Sequence, residues 1–305
     1  MYIIKNKIMR TITLLCVCLV VAAKTIAQDS VFYQNVEWSP NGRKIVTETI
    51  KKITNGILFN SYIIDVSTGT VERKIANTVF PAWSRDGKYI AYSKMTGVKN
   101  GSDIWMMNIT TGDTTQVTSV PSRNTGVSFS PDGKRVCFSS DREGNLNLYI
   151  SGTDGTGLQK ITTDTFKYYN AVWSPKKDEI VYFRERGDGR DKVFMLSLAD
   201  KKEVKVTNDT LHNVYPSWLP NGKDITYAFS NPILNDDIRQ IAIIGVNGSN
   251  KRIVPAIAGA FFARISADGK KIAFTKGKWP QSNIFIANID GSNVQCLTCN
   301  VMLHD

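Results

Sequence analysis

Few side chains in this chain are suited to acid–base or nucleophilic chemistry. The sequence contains two histidines, His212 and His304, and it has no HExxH pair, no GxSxG nucleophile elbow and no double CxxC zinc pattern. A catalytic triad would have to use His212, because His304 is next to the chain end. The segment Asp141-Arg142-Glu143 spaces its carboxylates loosely like a calcium loop but lacks the Glu at the twelfth position. These residues predict a non-catalytic protein with no metal and no other cofactor.

Two cysteines, Cys296 and Cys299, have the CxxC spacing of redox proteins. A thioredoxin-like site needs such a pair at a helix N-terminus, where the thiol pKa is lowered, and no helix is predicted there. Cys296 aligns instead with Gln116 and Lys160, at a solvent-facing position on an outer strand. The pair is therefore a candidate for a structural disulfide.

Recognition is better supported than catalysis. Aromatic and arginine side chains recur in the connections that lead from one sequence repeat to the next, and this composition is typical of binding hot spots. A second group of loops, at 94–102, 141–143, 184–192 and 231–239, is expected to complete the same face. The candidate partner-binding residues are Arg123, Asn124, Tyr168, Tyr169, His212, Tyr215, Phe261, Phe262 and Arg264.

The elements that must position these residues are repeats of one short phrase. It begins at Trp38, Trp83, Phe129, Trp173, Trp218 and Ile265, and its full form is Phe129-Ser130-Pro131-Asp132-Gly133. The spacings are 45, 46, 44, 45 and 47 residues, the period of a four-stranded propeller blade. Pro, Asp and Gly at successive positions predict a tight turn, so each phrase marks a hairpin tip between two strands.

The segments after each phrase alternate apolar and aromatic residues with the period of a β-strand, as in Ile90-x-Tyr92 and Val136-x-Phe138. A third strand follows in each repeat and is apolar on both faces, so neighbouring sheets must cover it. We predict an all-β fold, a six-bladed propeller of four-stranded antiparallel blades, closed by packing between the first and sixth blades. The expected blades are 31–76, 77–122, 123–167, 168–212, 213–258 and 259–305.

Residues 1–27 read as a signal peptide. Lys5, Lys7 and Arg10 precede the apolar run 12–23, and Thr25-Ile26-Ala27 supplies small residues for cleavage near Ala27. The run is shorter than the roughly 20 residues that span a bilayer, so no transmembrane segment is expected in the mature chain 28–305. Cleavage removes four positive charges, which lowers the net charge from +11 to about +7. This excess forms no long basic run, so nucleic-acid binding is not indicated.

The hairpin phrases, the strands around 104–106, 148–150 and 284–286 and the DG turns together resemble the TolB-type propeller repeat. The similarity is close over 129–162 and extends over 31–298. It implies a propeller that serves as a protein-binding platform, or one of the related propellers of oligogalacturonate lyases and prolyl-oligopeptidase-like peptidases. We expect a propeller without the separate N-terminal domain of TolB, and fold alone does not fix function.

The sequence favours an exported propeller, periplasmic or otherwise outside the cytoplasm, that binds a protein partner through its channel-face loops. An envelope glycan is the other partner considered. Two alternatives from different classes stay open: a carbohydrate-active enzyme of the oligogalacturonate-lyase type, and a structural component of the envelope. The lyases of this repeat type rely on a metal site with several histidines, which two histidines do not reproduce.

Overall fold

The computed structural model describes residues 30–97, 101–185, 187–188, 190–231, 239–301 and 303. Within these residues the strands β1 to β24 form six antiparallel sheets of four strands each. The sheets are arranged as blades in a ring, which confirms the predicted six-bladed, all-β propeller. Residues 1–27 and the expected cleavage near Ala27 lie outside the described residues. Across the described part of the chain, no helix has the length and apolar character needed to span a bilayer.

The strands follow the chain, four to a blade. Blade 1 contains β1 (Val31–Trp38), β2 (Lys44–Ile53), β3 (Gly56–Asp65) and β4 (Val71–Ala76). Blade 2 contains β5 (Thr78–Trp83), β6 (Tyr89–Met95), β7 (Ser102–Asn108) and β8 (Thr114–Gln116). Blade 3 contains β9 (Asn124–Phe129), β10 (Arg135–Glu143), β11 (Asn145–Gly152) and β12 (Gln159–Lys160).

The second half of the ring repeats this order. Blade 4 contains β13 (Lys167–Trp173), β14 (Glu179–Glu185), β15 (Lys192–Ser197) and β16 (Glu203–Lys205). Blade 5 contains β17 (His212–Trp218), β18 (Asp224–Ser230), β19 (Gln240–Gly245) and β20 (Arg252–Ile253). Blade 6 contains β21 (Ala260–Ile265), β22 (Lys271–Lys278), β23 (Gln281–Asn288) and β24 (Gln295–Cys296), and a short 3-10 helix, Pro255–Ile257, precedes it.

The repeated phrase forms the turn between the first two strands of each blade. In blade 3 the Ser130 hydroxyl donates to Asp132 Oδ1 at 2.5 Å, and the same oxygen accepts from the Lys134 N–H at 3.1 Å. Gly133 takes a φ of 69°, a left-handed value that a side chain disfavours. These bonds to the Asp132 carboxylate lower its pKa. The six turns define one end of the channel, called here the hairpin-tip end.

In four blades, a threonine two residues after the end of the outermost strand binds back to the third strand. In blade 3 the Thr162 hydroxyl accepts from the Leu148 N–H at 2.9 Å and donates to Asn147 Oδ1 at 3.0 Å. A backbone donor that the short β12 leaves unpaired is satisfied in this way. Three other blades use the same hydroxyl-to-backbone bond, made by Thr118, Thr207 and Thr298.

Blade 1 packs on blade 6 through the contacts that join other neighbouring blades. Trp38 Nε1 donates to the Arg264 carbonyl at 3.0 Å, and Trp218 Nε1 donates in the same way to the Val172 carbonyl of the blade before it, at 2.9 Å. The Ser282 hydroxyl also donates across the junction to the backbone of β1, at 2.6 Å. The junction between the ends of the ring therefore has the geometry of an ordinary blade interface.

Candidate functional site

Each innermost strand is interrupted by a β-bulge three residues before the first residue of its hairpin phrase. The pairing register shifts there in every blade. At each bulge one residue has a positive φ, which is uncommon outside glycine and an outlier for a bulky side chain. We call these six the waist residues: Asn35, Phe80, Gly126, Asn170, Tyr215 and Phe262, with φ between 51° and 69°.

Two cavities meet at the waist. The loop-face cavity, about 330 Å³, is lined by Arg123, Tyr169, Glu185, Asp191, His212, Tyr215, Arg239 and Phe262, among others. The hairpin-tip cavity, about 320 Å³, is lined by Glu37, Trp83, Arg85, Trp173, Lys176 and Arg264, among others. Phe80, Gly126 and Asn170 line both. The waist residues therefore lie where the channel passes from one cavity to the other.

His212 and Asp191 form a polar pair on the wall of the loop-face cavity. His212 Nε2 lies 3.4 Å from Asp191 Oδ2, and one quarter of the histidine side chain is exposed. Burial lowers the pKa of His212, and Arg239 and Lys192 act in the same direction, while the Asp191 carboxylate opposes them. The imidazole is therefore held toward its neutral form, as both a hydrogen-bond donor and an acceptor.

A tyrosine and a glutamate form a second polar pair in the same cavity. The Tyr169 hydroxyl donates to Glu185 Oε2 at 2.9 Å, and its ring stacks on Phe183 with centroids 5.3 Å apart. Burial and the bond to Glu185 raise the pKa of Tyr169 to about 12. The phenol is fixed by one polar and one aromatic contact, which reduces the ordering entropy that a ligand must overcome.

Aromatic side chains line the loop-face cavity near the waist. The Tyr215 and Phe262 rings have centroids 4.0 Å apart, and Phe183 meets Tyr215 edge-on at 5.6 Å. The Arg239 guanidinium lies 5.2 Å from the centre of the Tyr215 ring, within the range of a cation–π interaction. Rigid aromatic side chains beside an arginine are typical of binding hot spots.

The structure brings five of the nine predicted site residues into the loop-face cavity: Arg123, Tyr169, His212, Tyr215 and Phe262.

The other four lie elsewhere. Tyr168 is 2% exposed and packs on Tyr182 inside its blade. Asn124 is fully buried and binds backbone and side chains around Ser102. The Phe261 ring stacks on Phe32, and Arg264 lines the hairpin-tip cavity instead.

Glu185, Asp191 and Arg239 are cavity residues that the sequence analysis did not single out. All three fall in the segments 184–192 and 231–239, which were expected to complete this face. Phe80 was also missed, although its position three residues before Trp83 matches that of the other waist residues. The position three residues before the first residue of each phrase could therefore have identified the waist residues from the sequence.

The remaining sequence candidates have partners of their own. Asp141 Oδ1 accepts from the Arg123 N–H at 2.8 Å, and Glu143 pairs with Lys160 at 2.8 Å. Over the described residues, no three His, Cys, Asp or Glu side chains are grouped so as to hold a metal ion. Cys296, the last residue of β24 in blade 6, forms a disulfide with Cys299.

Comparison with known proteins gives this architecture a family. The sequence profile of the TolB beta propeller domain matches residues 21–263. The chain belongs to the TolB β-propeller family. The Tol-Pal system protein TolB of Francisella tularensis subsp. holarctica is 30% identical over 222 residues, which are 70% of this chain and 49% of that protein. The chain thus spans about half the length of the curated TolB proteins it matches.

Solved structures agree on the fold. TolB from Acinetobacter baumannii superimposes with a TM-score of 0.63 at 19% identity, covering 90% of this chain and 65% of that one. An oligogalacturonate lyase in complex with manganese gives a TM-score of 0.60 at 12% identity, covering 87% of this chain and 77% of that one. Likeness at such low identity supports the propeller fold and leaves the chemistry to the residues of each site.

Proposed function

We propose that this TolB-like propeller is a non-catalytic protein that binds a protein partner at its loop-face cavity. The observation that carries the proposal is the set of fixed aromatics, Tyr169, Tyr215 and Phe262, beside Arg123 and Arg239. The described lining residues include the two arginines and the carboxylates Glu185 and Asp191. Both signs of charge are therefore offered around an aromatic surface, which suits a polar peptide segment.

The family supports a recognition role over the lyase alternative. Relatives at 29–30% identity are named Tol-Pal system protein TolB, and the likeness to the manganese-bound lyase is one of fold at 12% identity. A lyase also needs a base and a cation site that converge on the substrate. In the loop-face cavity the described lining contains one histidine, His212, and the charged groups that act on it are Asp191, Arg239 and Lys192.

Export is part of the same proposal. The basic and apolar pattern of residues 1–27 supports cleavage near Ala27 and delivery of the mature chain 28–305 to the periplasm. N-terminal sequencing of the protein purified from an envelope fraction tests this directly. A mature protein that retains residues 1–27 or stays in the cytoplasm would remove this part of the proposal.

The partner proposal is tested by capture from the native envelope with matched variants. Tyr169→Ala combined with Arg239→Ala alters the loop-face cavity, and Tyr89→Ala removes an exposed tyrosine from β6 as the control. We expect a protein retained by the wild type and by Tyr89→Ala to be lost or reduced at least about tenfold in the double variant.

Identical capture by all three proteins would exclude the loop-face cavity as the binding surface. If the double variant loses binding to purified envelope glycan while its protein capture is unchanged, the cavity is assigned to a glycan instead. Circular dichroism of each variant before capture separates loss of binding from loss of fold.

A further inference from the structure

The hairpin-tip cavity has an excess of positive charge. Its described lining contains three cationic side chains, Arg85, Lys176 and Arg264, and one carboxylate, Glu37. A buried charge is costly unless an opposite charge compensates it, and Arg264 is the buried cation of this set, while Arg85 and Lys176 are exposed. Glu37 interacts electrostatically with both Arg264 and Arg85, so one carboxylate faces two guanidinium groups and the lining has more positive than negative charge.

Arg264 is the most enclosed of these cations. The side chain is 8% exposed, and its Nη1 donates to the neighbouring Ala263 carbonyl at 3.3 Å. A guanidinium has five N–H donors, so one long bond leaves most of them available to the cavity. In the described part of the chain, the ion pairs closer than 4.0 Å include neither Arg264 nor Arg85.

Arg85 departs from the repeated turn. It follows Ser84 at the position where four other blades have proline: Pro40, Pro131, Pro175 and Pro220. Its Nη2 donates to the Trp173 carbonyl at 3.1 Å, so the side chain extends from blade 2 to blade 4. The guanidinium therefore lies in the mouth of the channel at the hairpin-tip end, where a ligand entering from this side would meet it.

We propose that the hairpin-tip cavity binds an oxyanion, the carboxylate or phosphate group of a small ligand, between Arg85 and Arg264. The planar guanidinium fork matches both groups geometrically and forms paired, charge-assisted hydrogen bonds with them. A bound anion would balance the excess charge that Glu37 leaves. The cavity volume of about 320 Å³ lies within the range of small-molecule sites.

A purely structural role for Arg85 makes a different prediction. If the arginine served only to join blades 2 and 4 through the Trp173 carbonyl, its removal would lower stability by the same amount with or without anions. Arg85→Pro restores the residue of the other turns, so the turn itself is expected to form. The variant therefore removes the guanidinium while the turn is retained.

The test measures the binding of inorganic phosphate and of acetate by titration calorimetry, and the melting temperature in each salt. Sodium chloride at equal ionic strength controls for screening. We expect saturable binding of one or both anions to the wild type, with a rise in melting temperature, and affinity reduced at least about tenfold in Arg85→Pro. Arg43→Gln, which changes an exposed arginine beside the blade 1 turn, should bind like the wild type.

Arg264→Lys gives an independent measurement, since it retains the charge and removes the fork. Weaker phosphate binding in this variant supports paired hydrogen bonds, and a preference for acetate or for phosphate identifies the ligand group. Equal binding by the wild type and Arg85→Pro, or no saturable binding of either anion to the wild type, would overturn the proposal. If Arg264→Lys does not fold, the comparison with Arg85→Pro alone decides.

Discussion

The two ends of the channel have nearly the same volume and different chemistry. The loop-face cavity, about 330 Å³, has Arg123 and Arg239 against Glu185 and Asp191. The hairpin-tip cavity, about 320 Å³, has three cations against Glu37. The repeat therefore sets the size of the channel, and residues that depart from the repeat, such as Arg85 in place of proline, set the charge at each end.

The walls of the two cavities also differ in what they contribute to stability. Trp173 and Tyr169 lie four residues apart on β13, one facing each cavity. Trp173 is fully buried between blades, while Tyr169 is half-buried. The first is part of the core and the second is available to a ligand.

The largest expected effect comes from this pair. Trp173→Ala should lower the free energy of unfolding by about 3–5 kcal/mol, because it leaves a cavity among packed blades. Tyr169→Ala should cost about 1 kcal/mol, since its ring already contacts solvent. Urea denaturation of both variants measures the difference. An equal or larger loss for Tyr169→Ala would remove the distinction between a structural wall and a recognition wall.

A smaller effect is expected at the waist between the two cavities. Glu48 on β2 is fully buried and accepts hydrogen bonds from the side chains of Gln34 and Asn35 and from the Phe80 N–H. Burial raises the pKa of Glu48 above its ordinary value of 4.5. The folded protein thus retains this proton at a pH where the unfolded chain has lost it.

This contribution to stability is present below pH 4.5 and is lost as the pH rises through the raised pKa. Glu48→Gln should remove that dependence, so the variant gains stability relative to the wild type as the pH rises. Urea midpoints in steps from about pH 4 to pH 8 measure the trend. Glu72→Gln, at an exposed carboxylate paired with Lys44, is the control. Parallel curves for the wild type and Glu48→Gln would contradict the assignment.

The smallest effect is expected at His212. Its pKa is lowered mainly by burial, so its part of the stability is present above the ordinary value of 6.5 and is lost as the pH falls through the lowered value. Asp191→Asn should lower the pKa of His212 further, because the carboxylate favours the charged imidazole. An NMR titration of the imidazole measures this, and His212→Gln identifies the signal.

Asp191→Asn also tests whether binding at one cavity is independent of changes at the other. Asp191→Asn should leave phosphate binding at the hairpin-tip cavity unchanged, because the waist lies between them. Altered phosphate affinity in Asp191→Asn would show that the two ends are coupled.

The sequence was sufficient for the fold because the turn chemistry of Pro, Asp and Gly recurs with a constant period. The sequence was less informative about the site, because the bulges determine which cavity each side chain of an inner strand faces. Tyr168 and Tyr169 are adjacent and look equivalent, yet strand alternation buries one in the blade and presents the other to the cavity. Arg264 follows Phe262 by two residues and lines the opposite cavity, because the bulge lies at Phe262.

The left-handed waist was only partly predictable. Asn35, Gly126 and Asn170 are residue types that tolerate a positive φ. Phe80, Tyr215 and Phe262 are not, so backbone preference at these positions would indicate an ordinary strand. At these three positions the packing of the inner strands around the channel overrides the local backbone preference. A single sequence does not reveal this packing directly.

Because all six inner strands share the same bulge, the side chains at the six waist positions determine the width of the channel. Each blade contributes one side chain from the same backbone geometry, and this chain already accommodates asparagine, glycine, tyrosine and phenylalanine there. Exchanges at these six positions would widen, narrow or polarise the passage while the hairpin tips and outer strands keep their sequences.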